Sequence, residues 1–343
     1  MTTFLRQPAV HAIVFVAALV IGAILLAGAS PYAVAAATLE RAFLTRAGFM
    51  EALLRAVPLT IMGLGIALAF RARVFNIGMD GQLIAGSIAA VALAPWLPGG
   101  PLGIAVFLAA GLAGGAVWGG IAGVIKARFG GNEIITTIML NYVAIQILSW
   151  LVRGPMQETM RIIPRSDPID AALRLPILIG GTRIHAGFIV ALLAVAVTML
   201  VVARGRFGYK LSVVGQNPNA AFYAGISPAG IAAAVLVVSG AMAGLAGAVE
   251  ISGVYGRLQE GFAPGFGISA IAVALVARLN PVLVPVSALG FSLLYAGLGS
   301  VAQKGLVPFP LINIIEGAII LIFLAASAVT VHRAGRKEVP SDG

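Results

Sequence analysis

Few side chains in this 343-residue chain could do chemistry, and their positions limit what that chemistry could be. Asp80 and Glu316 stand inside long apolar runs, whereas Glu133, Glu250 and Arg278 stand nearer the ends of such runs. A charge in hydrocarbon costs a few kcal/mol on insertion scales, so a carboxylate at that depth faces a cavity or a partner. Asp80 and Glu316 each carry two readings: contact with a polar substrate in a pathway, or a buried hydrogen bond that fixes helix packing. The amides Asn76, Gln82, Asn141, Gln146 and Asn313 carry the same pair, with packing favoured because amides also join helices in lipid. Covalent catalysis is not supported. His11, His185 and His332 lie far apart and match neither G-x-S-x-G nor H-E-x-x-H, and the chain has no cysteine to supply a thiolate or zinc ligands. Nothing matches G-x-x-x-x-G-K-[ST], and the glycine-rich "AGLAGGAVWGG" lacks the phosphate-binding lysine. The chain is therefore read as a non-enzyme with no catalytic residue, metal site or cofactor of its own; any ATP would be hydrolysed by another chain.

The elements that must position these residues are membrane helices. Hydrophobic residues make up 60% of the chain and charged ones 10%, with a mean hydropathy of +1.04. So little polar surface cannot cover a soluble globule. Ten apolar segments are expected, at about 10–29, 53–70, 80–96, 102–125, 134–152, 185–203, 229–251, 268–279, 282–299 and 309–330, all in one transmembrane domain over 1–343. They lack the alternation of a barrel strand, so the fold class is all-α and polytopic. Ala27-Gly28-Ala29 resembles a signal-peptidase site, but the apolar stretch is too long and Arg6 too thin a basic start; the first segment is expected to be retained.

Ten crossings place both termini on one side. That side holds twelve of the 22 Lys and Arg residues against ten opposite, and five of those ten sit in the long 153–184 loop, which is large enough to be a small docking structure. With that loop set aside the bias predicts cytoplasmic termini and an external 153–184 loop. The net charge of +10 is spread among loops rather than gathered in a stripe, which reads as membrane-interface anchoring and not as nucleic-acid binding.

Glycines recur at Gly111, Gly115, Gly119 and Gly123, and again at Gly240 and Gly244, a spacing that lets helix backbones approach closely. Two stretches break the helical pattern: "RVFNIGMDGQLIAG" at 73–86 and "GFAPGFG" at 261–267. Interrupted apolar segments in matching places of two halves point to a transporter's binding region, and faintly to an internal repeat; the alternative is two glycine-rich loops. Between the basic 204–210 stretch and segment seven, "VGQNPNAAFYAGISP" reads as a short helix. Asn217 is a good N-cap, Pro218 suits the first helical position, Ala220–Ala224 continue, and Gly225 can end it; Ser227-Pro228 then starts the next segment. Phe222 and Tyr223 on so short an element call for a partner surface, with lipid headgroups as the alternative.

"FNIGMDGQL" (75–83), "GGNEIITTIMLNYVA" (130–144) and "GRFGYKLSVVGQNPNAAFYAGIS" (205–227), in that order, resemble the permease subunits of bacterial ABC importers for branched-chain amino acids, ribose and nucleosides. Within that group the chain is most similar to the nucleoside permeases, simple-sugar-like proteins that work with a substrate-binding lipoprotein. Asp80 departs from the glutamate usual after "FNIG". The resemblance implies an inner-membrane importer subunit of about ten helices, paired with a second, related permease above ATP-binding subunits that hold ATP and Mg. It implies that 204–228 is a cytoplasmic coupling loop, with Gly215, Asn217, Pro218, Ala221, Phe222, Tyr223 and Gly225 seated against the ATPase. It also places Asn76–Gln82 near the pathway; together with the polar residues read from the apolar segments, the pathway candidates are Asn76, Asp80, Gln82, Asn141, Asn313 and Glu316. An ion-gradient-driven transporter with Asp80 or Glu316 as its ion site is the alternative, and ribose, other sugars and branched-chain amino acids are the alternative substrates.

Overall fold

The computed structural model describes residues 21, 28, 30–262, 265–308, 310–312, 314–315, 317–318 and 321–322. Asn313, Glu316 and nearly all of the first expected segment lie outside the described residues. Eleven α-helices are labelled here in chain order: α1 Pro31–Leu39, α2 Arg46–Arg71, α3 Met79–Leu93, α4 Pro101–Phe129, α5 Glu133–Arg153, α6 Gly187–Arg204, α7 Arg206–Gln216, α8 Pro218–Tyr223, α9 Pro228–Glu250, α10 Phe266–Val276 and α11 Val284–Gln303. No strand occurs among the described residues; isolated bridges join Arg165 to Gln259 and Ile177 to His185. Six described helices, α2, α4, α5, α6, α9 and α11, are long and apolar enough to cross a membrane, while α3 and α10 are shorter. The all-helical, multi-pass expectation therefore holds, and the two short helices are those that begin at the breaks read from the sequence.

Helix ends follow local chemistry. Pro101 opens α4, and Gly130, at φ 66°, closes it with Gly130 and Gly131 N–H groups donating to Lys126 O and Ile125 O. Asn132 then caps α5, its side chain accepting from Ile134 N at 2.9 Å, and Lys126 pairs with Glu133 at 2.7 Å across the two-helix link. The chain divides into two compact units, one of 1–52 with 292–343 and one of 53–291. In the first, α1 packs Val34 into a cluster with Leu298, Val301 and Leu311, and Thr38 bonds back to Val34 O at 2.7 Å.

In the second unit α3, α4 and α9 pack backbone to backbone. A β-carbon placed on Gly115 would come within 2.7 Å of Gly244 Cα, and one on Gly240 would come within 3.0 Å of Gly119 Cα. Gly86 of α3 is closed off in the same way by Gly111 and Gly244. Lipid tails are as apolar as leucine, so association in the bilayer rests on close van der Waals packing, and these glycines supply it. Gly123 lies against Ala233 further along the same seam.

Candidate pathway and coupling surface

The first break begins where α2 stops. Arg73 adopts φ 55°, Val74 N–H reaches back to Ala69 O at 3.0 Å, and the chain runs extended to Gly78 before α3 starts. Backbone freed from a helix at membrane depth must find partners inside the protein. It finds them on α5: Asn141 accepts from Gly81 N–H at 2.8 Å and donates to Ile77 O at 2.9 Å, while Thr137 Oγ1 accepts from Ile77 N–H at 3.3 Å. Asn76 is fully buried. Its amide donates to Gln82 Oε1 at 2.8 Å and Ser239 Oγ at 2.9 Å, and its oxygen accepts from Gly78 N–H at 2.9 Å and Gln82 Nε2 at 3.1 Å. In this conformation Asn76, Gln82 and Asn141 spend their hydrogen bonds on holding the break to α5 and α9.

Asp80 is placed differently. One carboxylate oxygen accepts from the Gly267 N–H at 2.7 Å, in the first turn of α10, where the helix dipole favours a negative charge. The two interrupted stretches of the sequence thus meet directly. A β-carbon on Gly267 would lie 2.9 Å from the Asp80 carboxyl carbon, so glycine is what allows the approach. Beside this contact the Arg55 guanidinium lies 4.6 Å above the Phe266 ring, a cation–π pair. Glu250 is buried at the end of α9. Arg55 and Phe266 were not singled out from the sequence, although a lone arginine two residues inside an apolar run was a visible signal.

The 154–186 segment is folded rather than loose. Glu158 pairs with Arg165 and, at 3.8 Å, with Arg257, and the Arg165 hydrogen bond holds its carboxyl below the usual range. Ser166 N–H donates to Leu258 O at 2.8 Å, and Arg174 Nε to Ser252 O at 3.0 Å, tying the segment to the residues after α9. His185 is buried, accepts from Gly187 N–H at 3.1 Å through Nδ1, and has its pKa pushed down to about 4 by burial and then by Arg183 and Arg174.

At the opposite ends of these helices lies the 204–228 stretch. Asn217 Oδ1 accepts from Asn219 and Ala220 N–H at 3.0 and 3.1 Å, Pro218 is the first residue of α8, and Gly225 at φ 75° ends it. Ser227 Oγ accepts from Gly230 N–H at 3.1 Å to start α9. Ala221 is fully buried, whereas Phe222 is 69% and Tyr223 89% exposed, their rings edge to face at 6.2 Å. The residues ahead of Asn217, expected as a basic stretch of loop, are helical. They form α7, whose Leu211 and Val214 join Leu68, Ala72, Ala221 and Leu236 in one core, and the four- and three-residue spacing of Phe207, Leu211 and Val214 was the available signal. Gly215 rests directly on the Arg71 carbonyl.

Apolar helices of membrane-spanning length, with two short helices that begin at breaks and touch there, are the architecture of a polytopic membrane protein. Residues 48–324 match the family described as branched-chain amino acid transport system / permease component, and the chain belongs to it. The chain is 39% identical over 300 residues to the glucose ABC transporter permease protein TsgB13 of Haloferax volcanii, covering 84% of this chain and 79% of that one. It is 35% identical over 285 residues to the guanosine ABC transporter permease protein NupP of Bacillus subtilis (81% and 80% covered). It is 30% identical over 283 residues to the nucleoside ABC transporter permease protein NupB of Lactococcus lactis (79% and 77% covered). No solved structure matches it.

Proposed function

We propose that this ABC importer permease moves nucleosides across the bacterial inner membrane by alternating access. Two relatives spanning about four-fifths of the chain are permeases for guanosine and for nucleosides, and these carry the substrate assignment. The proposed arrangement has both termini and the 204–228 loop in the cytoplasm and the 153–184 loop outside, facing a substrate-binding lipoprotein. A second, related permease completes the path, and the ATP-binding subunit holds ATP and Mg. The coupling assignment rests on one observation above the others. Phe222 and Tyr223 stand out from a helix whose cap and buried Ala221 hold it rigid, so the exposed aromatic pair presents a firm knob to a partner groove. In the pathway role, Asp80 is the leading residue of this chain because its carboxylate sits where the two broken segments meet. Asn76, Gln82 and Asn141 set the shape of that place, and Glu316 and Asn313 complete the candidate set from outside the described residues.

A sugar is the second substrate reading, favoured by the glucose permease relative at 39% identity. Competition settles between them: uptake of labelled guanosine into cells carrying the whole importer is expected to fall with excess unlabelled nucleoside and to ignore excess glucose. Labelled glucose uptake that ignores nucleoside would overturn the assignment.

A further inference from the structure

The ends of α2 and α10 are built alike. At the end of α2, Arg73 N–H donates to Phe70 O and Val74 N–H to Ala69 O; at the end of α10, Arg278 N–H donates to Leu275 O and Leu279 N–H to Ala274 O. In both, an arginine takes the left-handed conformation, φ 55° at Arg73 and φ 50° at Arg278, where glycine is the usual residue; at the second end Leu279 follows in the same region at φ 56°. The sequences "AFRARV" (69–74) and "ALVARL" (274–279) line up residue for residue around that Ala-Arg pair. These matching ends are also joined, since Arg71 Nε donates to Leu279 O at 3.0 Å, across 208 residues of chain.

The other face of Arg71 is equally occupied. Its own carbonyl is the surface on which Gly215 of α7 rests, so closely that a β-carbon there would meet the carbonyl and Ala72. One residue therefore touches the helix leading into α8 through its backbone and the end of α10 through its side chain. The far end of α10 carries the Gly267 N–H that Asp80 accepts. Leu279 lies three residues past the last residue of α10, and its N–H is tied back to Ala274 O at 2.9 Å, so a push at Leu279 enters the helix there and is carried along its eleven residues to Gly267.

We infer that Arg71 is a positioning residue that transmits movement of the α7–α8 loop to α10, and through α10 to the contact between Asp80 and Gly267. This role rests on the coupling assignment made above for α8. Apolar contacts of Leu211, Val214 and Ala221 hold the loop to the bundle, and the Arg71 side chain adds a polar connection that reaches the turn after α10. Removing it frees α10 from the loop without removing the loop.

The test uses the complete importer, with its ATPase and second permease, in nanodiscs. Because the chain has no cysteine, Ile268→Cys in α10, at an exposed position, gives a single thiol in this subunit for a nitroxide label. In the otherwise native chain the spectrum is expected to differ between the nucleotide-free and ATP–vanadate states. Arg71→Ala is expected to keep co-purification with the ATPase and basal ATP hydrolysis, to abolish the spectral difference, and to lower substrate-stimulated hydrolysis by about tenfold, within the usual span of coupling energies. Arg71→Lys, which keeps a donor on a long stem, is expected to recover part of both. An unchanged nucleotide-dependent spectrum in Arg71→Ala would overturn the transmission role, as would loss of ATPase association in that variant. Absence of a spectral difference in the native background, together with no binding of the ATPase to α8, would overturn the coupling assignment and this inference together.

Discussion

Truncating Phe222 to alanine isolates the contact on which the coupling assignment depends. The side chain is 69% exposed, so its removal leaves the fold nearly untouched, and surface changes of this kind shift stability by about 0.5 kcal/mol or less. Aromatic side chains bury about 150–250 Å² when covered, which leaves roughly 100–170 Å² of Phe222 for a partner to bury. At about 25 cal/mol per Å² that area is worth roughly 2.5–4 kcal/mol. Holding the ring in place costs about 0.5–1.5 kcal/mol, so the net loss expected for Phe222→Ala is about 2 kcal/mol, or roughly 30-fold in affinity for the ATPase. Microscale titration of the purified ATPase against detergent-solubilised permease pair measures it, with a melting curve of the permease as the folding control. Unchanged affinity with an unchanged melting curve would refute the reasoning, because it would mean that the exposed face of α8 is not covered by the ATPase.

Three further outcomes follow from the packing and the buried polar groups. Gly244→Leu forces a side chain into the α4 backbone at Gly111 and Gly115, and overpacking of this kind costs about 1–3 kcal/mol; a lower melting temperature in detergent is expected, while Gly290→Ala, with open space around it, leaves the temperature unchanged. Asn141→Leu strips the partners from Gly81 N–H and Ile77 O, at about 1–3 kcal/mol per buried unpaired group, and faster hydrogen exchange at residues 77–81 is the expected readout. His185 has a folded pKa of about 4 against an ordinary value of 6.5, so the unfolded chain takes up its proton first and stability falls as pH drops from about 6.5 towards 4. His185→Asn keeps an acceptor for Gly187 N–H and is expected to flatten that part of the stability–pH curve, measured by denaturant unfolding between pH 4 and 7.

The caps and breaks were legible from residue type alone. Asn217-Pro218, Gly225 and Ser227-Pro228 mark α8 and the start of α9 because capping is a local interaction between a side chain and backbone groups two or three residues away. The two breaks are legible for the same reason, through glycine placement in both and Pro264 in the second. What the sequence could not show is that they touch: Asp80 and Gly267 are 187 residues apart, and only the packed bundle sets their distance. The amides Asn76 and Gln82 carry two readings because a buried amide and a pathway amide look identical in sequence; the structure has them bonded to each other, with Asn76 also donating to Ser239. α7 was hidden by its basic and glycine residues, Arg206, Gly208, Lys210 and Gly215, which mask a narrow apolar stripe whose core lies on other helices. The link made by Arg71 is invisible in the sequence, since its bond to Leu279 crosses 208 residues.

The most direct measurement is uptake of labelled guanosine into proteoliposomes containing both permeases, the ATPase and the binding protein, with the ATPase site accessible to added nucleotide. Accumulation that requires ATP and the binding protein, and that stops with Phe222→Asp in this chain, is the predicted result. Accumulation driven by a proton or sodium gradient in liposomes holding this chain alone, without ATP, would contradict it.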